Sequence, residues 1–102
     1  MHHLQVDSYR WVDDEPQPGI VELSFLDASG ARHVVVDKQA YFTASSATDR
    51  ERPDDLAIRC QVTHELDPPN VRVLFEWDVE TTKGLQSVVV LRIQLRPDQP
   101  DP

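Results

Sequence analysis

Residues 56–79 read LAIRCQVTHELDPPNVRVLFEWDV, and apolar and polar side chains alternate along most of this stretch. A period of two is typical of a β-strand with one buried face, because successive side chains point to opposite sides of a sheet. Asp67-Pro68-Pro69-Asn70 interrupts the alternation with residues that favour a tight turn. The stretch therefore predicts a β-hairpin in which Val62 lies opposite Phe75 and the apolar side chains share one face.

The same alternation predicts six strands along the chain. They are Leu4–Val12, Gly19–Leu26, Ala31–Phe42, Leu56–Leu66, Val71–Val79 and Leu85–Leu95. The spacing of the turns sets Phe75 opposite Val89 in the last hairpin and Leu23 opposite Val34 in the first. We predict an all-β fold of about six antiparallel strands, closed into a small barrel or a compact two-layer sheet.

The length of 102 residues fits one domain, which we place at residues 1–96. Residues 97–102 form a Pro-rich tail that we expect to be frayed, because it has no apolar side chain to bury. Residues 43–55 are too polar for a core strand, so they predict a long loop between the third and fourth strands.

The net charge of −8 narrows the classes of partner. Phosphate backbones and anionic lipid headgroups repel such a chain, which argues against nucleic acids and membrane surfaces and favours a basic protein. Cys60 is the single cysteine, so no internal disulfide can form. The amino-terminal residues lack a long apolar segment, and we expect a cytoplasmic protein.

Enzymatic chemistry finds little support in the residue pattern. The predicted first hairpin brings Ser24 opposite His33 with Glu22 on the same face, but a sheet face offers no oxyanion donor. Cys60 falls on the buried face opposite Trp77, where a thiol behaves as a small hydrophobe, and His64 is expected half-buried at the end of that face. Metal-ligand spacings and Gly-rich phosphate loops are absent, so we predict no catalytic residue, cofactor or metal.

Acidic surface segments are the best candidates for partner binding. They lie beside the turn between the first and second strands and in the long loop, and the predicted contact residues are Asp13, Asp14, Glu15, Asp49, Glu51, Asp54 and Asp55. A solvated loop that binds nothing is the plain alternative for 43–55.

A sequence resemblance supports one complete domain. Residues 19–38 read GIVELSFLDASGARHVVVDK, Ile58–Val62 read IRCQV, and Trp77–Gly84 read WDVETTKG. These segments resemble a set of small bacterial all-β proteins of uncharacterised function that share a G-x-V-E…D-A-x-G…D-K…I-x-C…W-x-x-E-[ST]-x-x-G pattern. Ala40 departs from that pattern, which tends to have Pro there. The resemblance implies strands and turns, and it brings no activity.

Three hypotheses for function follow. The first is a non-enzymatic acidic protein-recognition module, of the immunity or antitoxin type, that binds a basic partner. The second is a barrel that binds a small molecule in an interior lined by Trp11, Trp77 and Phe75. The third is a structural homodimer formed through strands that are apolar on both faces, such as Val34–Val36.

Overall fold

The computed structural model describes residues 2–13, 19–38, 42 and 56–97. These residues form eight antiparallel strands. They are β1 (His2–Gln5), β2 (Ser8–Asp13), β3 (Ile20–Leu26), β4 (Arg32–Lys38), β5 (Ala57–Glu65), β6 (Asn70–Phe75), β7 (Ser87–Leu91) and β8 (Leu95–Pro97). A five-stranded sheet has the order β7-β6-β5-β1-β8, and a three-stranded sheet has the order β2-β3-β4. The all-β prediction is confirmed.

The prediction of six strands is wrong in number because two of them are divided. The first changes sheets between Gln5 and Ser8, so that β1 pairs with β5 and β8 while β2 pairs with β3. The last is interrupted by a 3₁₀ turn at Arg92–Gln94, which separates β7 from β8. The first run of alternating residues therefore contributes one strand to each sheet. The last run contributes the two edge strands of the five-stranded sheet.

The two sheets enclose one apolar core to which both contribute. Its largest fully buried side chains are Phe25, Phe42, Leu4, Leu23, Ile58, Val21, Val35, Val71, Val73, Val79 and Val90, together with Cys60. Two isolated backbone hydrogen bonds link loops of one sheet to strands of the other. Thr82 N, in the β6–β7 loop, donates to Val34 O of β4, and Ala28 N, in the β3–β4 turn, donates to Val89 O of β7. No continuous ladder closes a barrel within the described ranges, so the two-layer form of the prediction is the one found.

The β5–β6 hairpin keeps the predicted buried face in a different register. Cys60 pairs with Phe75 and Val62 pairs with Val73, which is a shift of two residues. One residue of the shift arises at the turn, because Glu65 pairs with Val71 and Leu66 N donates to Asn70 O. The other comes from an irregularity between Val62 and His64, where the strand holds one extra residue. Two shifts of one residue restore the original face, and Cys60 stays buried.

The β6–β7 pairing reverses the predicted face of β7. Val73 pairs with Val88, and Val88 and Val90 point into the core instead of Val89. The cause is the early end of β6 at Phe75, since Trp77 and Asp78 both have a φ of 57° and turn the chain away from the sheet. The prediction that Trp77 lies in the core is therefore wrong, because its side chain is 50% exposed.

The β3–β4 hairpin is also displaced, by one residue. Leu23 pairs with Val35 rather than with Val34, and Leu26 pairs with Arg32. The turn holds five residues instead of four, and the Asp27 side chain accepts hydrogen bonds inside it from Ser29 N and Ala31 N. A shift of one residue exchanges the two faces of β4, so Val35 and His33 point inward.

The predicted 43–55 loop and the tail beyond residue 97 lie outside the described residues. The predicted third strand, Ala31–Phe42, is found as β4, which ends at Lys38. Within the described part of the chain, no helix is long and apolar enough to cross a membrane.

Candidate functional site

The predicted partner-binding residues fall almost wholly outside the described ranges. Asp14, Glu15, Asp49, Glu51, Asp54 and Asp55 are not described, and Asp13 is described only as the last residue of β2. Phe42, which precedes segment 43–55, lies beside Ala57, the second residue after that segment, since Ala57 N donates to Phe42 O at 2.8 Å. Ala57 also pairs with Gln5, so the segment begins and ends at the junction of the two sheets.

The structure separates the predicted Ser–His–acid constellation. Ser24 pairs with Val34, whereas His33 pairs with Phe25, so Ser24 and His33 point to opposite faces of the three-stranded sheet. Glu22 stays on the face of Ser24 but binds Arg10, whose Nε donates to Glu22 Oε2 at 2.8 Å. The hydrogen bond from Arg10 lowers the pKa of Glu22 despite an opposing effect of burial. The three groups do not meet in a common site.

Ser24 belongs to a polar network on the outer face. Its Oγ lies 2.7 Å from Ser8 Oγ and accepts a hydrogen bond of 2.8 Å from Arg32 Nη1. The same Arg32 nitrogen donates to Asp7 Oδ1 at 2.9 Å. This bond is the main cause that lowers the pKa of Asp7. The hydroxyl is thus held between a cation and a carboxylate, with no imidazole beside it that could take its proton.

His33 instead forms a buried pair with Asp27 at the base of the β3–β4 turn. His33 Nε2 lies 2.7 Å from Asp27 Oδ2, and the imidazole stacks on Phe25 with ring centroids 5.4 Å apart. His33 is 7% exposed, and its Nδ1 is buried without a hydrogen-bond partner among the described residues. Sequence alternation missed this pair because the displaced register was needed to bring His33 inside.

The remaining predicted candidates divide between core and surface. Cys60 is fully buried, as predicted, and faces Phe75 rather than Trp77. His64 is exposed rather than half-buried, because the irregularity at Thr63 turns it outward, where its Nδ1 lies 3.1 Å from Thr63 Oγ1. Among the described residues, no group of three His, Cys, Asp or Glu side chains could hold a metal ion.

The turn between β6 and the following loop presents an exposed aromatic side chain. Val79 N donates to Glu76 O at 3.1 Å and closes the turn around Trp77 and Asp78. Two successive positive φ values are typical of a type I′ turn, which favours Gly, Asn and Asp. A Trp in this conformation costs about 1–2 kcal/mol relative to Gly, so its presence is not explained by the needs of the turn.

Buried neighbours hold this turn in place. Val79 is 2% exposed, and Thr81, at 3%, accepts hydrogen bonds on its Oγ1 from Lys83 N and Leu85 N. Between the buried residues Phe75 and Thr81 the exposed side chains are Trp77, Asp78 and Glu80, with Glu76 half-buried. We name residues 76–80 the Trp77 turn. It combines an indole with three carboxylates on a fixed backbone.

Trp77 already contacts one guanidinium of its own chain. Arg59 Cζ lies 5.6 Å from the centre of the indole ring, within the range of a cation–π interaction. The Trp77 turn therefore has the chemistry to attract cationic side chains. The sequence alternation predicts this indole in the core, opposite Cys60.

A second surface feature lies where β1 leads into β2. An open groove of about 590 Å³ runs between this junction, the β3–β4 hairpin and the 3₁₀ turn. Its apolar lining comes from Phe25, Val6 and Leu91, with Leu26 and Ile93 at the rim. Gln94 joins two of its walls, because its Nε2 donates to Leu26 O while its Oε1 accepts from Leu91 N, both at 2.7 Å. Asp7 and Asp27 are the acidic residues of the lining.

The charge of the chain is unevenly divided. The described ranges hold ten of the 18 acidic residues and eight of the 10 basic ones, which leaves eight acidic and two basic residues for the other segments. In the described part, ion pairs link Arg10 with Glu22, Arg32 with Asp7, and Arg92 with Glu65. The Trp77 turn contains no basic residue of its own.

The chain matches no protein-family model, no curated protein and no solved structure.

Proposed function

We propose that this chain is a non-enzymatic protein-recognition module that binds a basic partner, in the manner of an immunity or antitoxin protein. The Trp77 turn carries the proposal. It holds an exposed Trp between carboxylates, in a backbone conformation that Trp disfavours. Trp is among the residues enriched at binding hot spots, and strained backbone is concentrated at functional sites.

Rigidity makes the turn suitable for recognition. The buried side chains of Val79 and Thr81 fix the backbone on one side, and Phe75 anchors it on the other. A surface that is ordered before binding loses less conformational entropy when the partner arrives. Cationic side chains of the partner would meet both the indole face and the carboxylates of Glu76, Asp78 and Glu80.

The surplus acidic segments support the same partner class. Segments 14–18, 43–55 and 98–102 together carry eight acidic and two basic residues. Charges of one sign accelerate the encounter with an oppositely charged protein, and this acceleration falls with salt. The contact residues predicted from the sequence (Asp13, Asp14, Glu15, Asp49, Glu51, Asp54 and Asp55) would then steer the partner, while the Trp77 turn provides the close contact.

The test uses the full chain as bait for the product of the adjacent gene, at low and at high salt. The decisive variant is Trp77→Asn, since Asn accepts a positive φ and should keep the turn folded. We expect the affinity to fall about thirtyfold, which corresponds to about 2 kcal/mol for a hot-spot residue. Leu74→Asn is the matched control, because Leu74 is an exposed apolar residue of the neighbouring strand.

Charge is tested with two triple variants that remove the same number of carboxylates. One changes Glu76→Gln, Asp78→Asn and Glu80→Gln, and the other changes Asp37→Asn, Glu65→Gln and Asp67→Asn. The first should weaken capture by about tenfold more than the second. Equal losses in both variants, or no retention of the partner at low salt, would contradict the proposal.

A further inference from the structure

The groove beside the β3–β4 hairpin has an apolar floor suited to a methylene chain. Phe25 is fully buried beneath it, and Val6 and Leu91 are half-buried along its sides. Leu26 and Ile93 stand at the rim, with Ile93 83% exposed. Long cationic side chains bury their methylene stems on surfaces of this kind while the charged end stays near polar groups.

Most polar groups of the groove are engaged within the chain. Gln94 uses both ends of its amide, and Asp7 accepts a charged hydrogen bond from Arg32. Asp27 differs, because within the described ranges its carboxylate accepts only from Ser29, Ala31 and His33. No Arg or Lys of the described residues neutralises it, and the groove keeps a negative charge at one end.

The hydrogen bonds that Asp27 already accepts determine whether an arginine or a lysine side chain fits beside it. Asp27 Oδ1 already accepts from Ser29 N, Ser29 Oγ and Ala31 N at 2.7–3.0 Å, whereas Oδ2 accepts from His33 alone. A guanidinium prefers both oxygens of a carboxylate, but an ammonium is satisfied by one. The arrangement therefore favours a lysine over an arginine.

We propose that the groove binds a lysine side chain of the basic partner, with its stem on Val6 and Leu91, above the buried Phe25, and its ammonium at Asp27. This inference rests on the proposed function and names a second contact for the same partner. The complementarity of charge and of apolar surface supports it: an aliphatic chain that ends in a cation matches an apolar floor and a carboxylate that, within the described ranges, is paired with His33 but with no Arg or Lys.

The test uses three probes of one length and different charge, namely n-hexylammonium, hexanol and hexanoate. Each is titrated into the full chain, and the backbone amide shifts of Ala28, Gly30 and Gln94 are followed by NMR. We expect n-hexylammonium to bind about tenfold more tightly than hexanol, and hexanoate not to bind. Equal affinities, or shifts confined to other parts of the chain, would overturn the proposal.

A pair of variants separates the groove from general charge effects. Ile93→Lys places a cation at the rim without disturbing the core, because Ile93 is exposed, and Leu74→Lys makes the same change of charge on the outward face of β6, at a residue that does not line the groove. The first should weaken n-hexylammonium binding about fivefold to tenfold and the second should leave it unchanged. Equal effects of the two variants count against a site in the groove.

The result is distinguishable from the outcome for the Trp77 turn. If capture of the protein partner still depends on Trp77 while the groove shows no preference for n-hexylammonium, the lysine site is refuted and protein recognition stands. If n-hexylammonium binds the groove but no protein is captured, the partner assignment of both sites is refuted.

Discussion

His33 and Asp27 are joined across the β3–β4 turn, with His33 Nε2 lying 2.7 Å from Asp27 Oδ2. This contact ties an inward-facing imidazole to a carboxylate that also organises the turn. Burial alone would raise the pKa of Asp27, but the hydrogen bonds from Ser29, His33 and Ala31 outweigh it and hold that pKa well below its ordinary value of 3.8. The pair thus links the stability of the hairpin, and of the groove beside it, to a negative charge at position 27.

Asp27→Asn should destabilise the fold and weaken its sensitivity to acid. A carboxylate with a lowered folded-state pKa stabilises the fold above its ordinary pKa, and this stability is lost as the pH falls from about 4 toward the folded-state value. We expect a loss of about 1–3 kcal/mol at neutral pH, because four hydrogen bonds lose their charged acceptor, one of them from the buried His33. Urea unfolding at neutral pH and at several pH values below 4 measures both effects.

Asp67→Asn is the matched control for this prediction, since Asp67 is an exposed turn residue whose carboxylate forms no such network with the described residues. It should change the free energy of unfolding by less than about 0.5 kcal/mol. An acid dependence that is the same in wild type and in Asp27→Asn would show that Asp27 does not hold its charge through these bonds.

The inward face of β7 is tested by two adjacent valines. Val90 is fully buried, whereas Val89 is half-buried on the other face. Val90→Ala should lower the free energy of unfolding by about 2 kcal/mol through lost burial and a small cavity, and Val89→Ala by less than about 1 kcal/mol. A larger cost for Val89→Ala would restore the face that the sequence spacing predicts.

Alternation identified the strands well because it depends on a property of each residue and its neighbours. The buried sides of β5 and β6 follow from it directly, as Cys60, Val71 and Val73 show. The faces of β4 and β7 could not be predicted in this way, because they depend on the number of residues in each turn. A change of one or three residues exchanges the two faces, whereas a change of two leaves them as they were.

The turns in question have unusual local causes. Side-chain hydrogen bonds of Asp27 lengthen one turn by a residue, and the positive φ values of Trp77 and Asp78 end β6 early. Neither has a strong signature in one sequence, since Asp-x-Ser-Gly is compatible with several turns and Trp rarely adopts a positive φ. The Trp77 turn was missed for this reason. The acidic contact residues predicted in segments 13–15 and 49–55 remain a prediction.

Gln94 is expected to hold the groove walls together through two separable hydrogen bonds. Gln94→Glu keeps an acceptor for Leu91 N but loses the donor to Leu26 O, and Gln94→Ala loses both. Each variant should lower the free energy of unfolding by about 1–2 kcal/mol. Hydrogen exchange at the Leu91 amide should accelerate in Gln94→Ala and stay slow in Gln94→Glu. Equal exchange in the two variants would mean that the Leu91 amide is protected by another contact.

Substitutions at Gly30 and Gly84 test whether these turns exclude other residues because of their backbone φ or because they lack room for a side chain. Their φ values are +88° and +84°, and a Cβ added at either position would meet no atom within 4 Å. Gly→Ala at each position should therefore lower the free energy of unfolding by about 1–2 kcal/mol through backbone conformation alone. Gly→Asn should lower it by less, because Asn tolerates a positive φ. Thermal and urea unfolding of the four variants measures this order. If Ala and Asn cost the same at Gly30, steric contact rather than φ would govern the turn, and the open space beside the hairpin would be smaller than the groove requires.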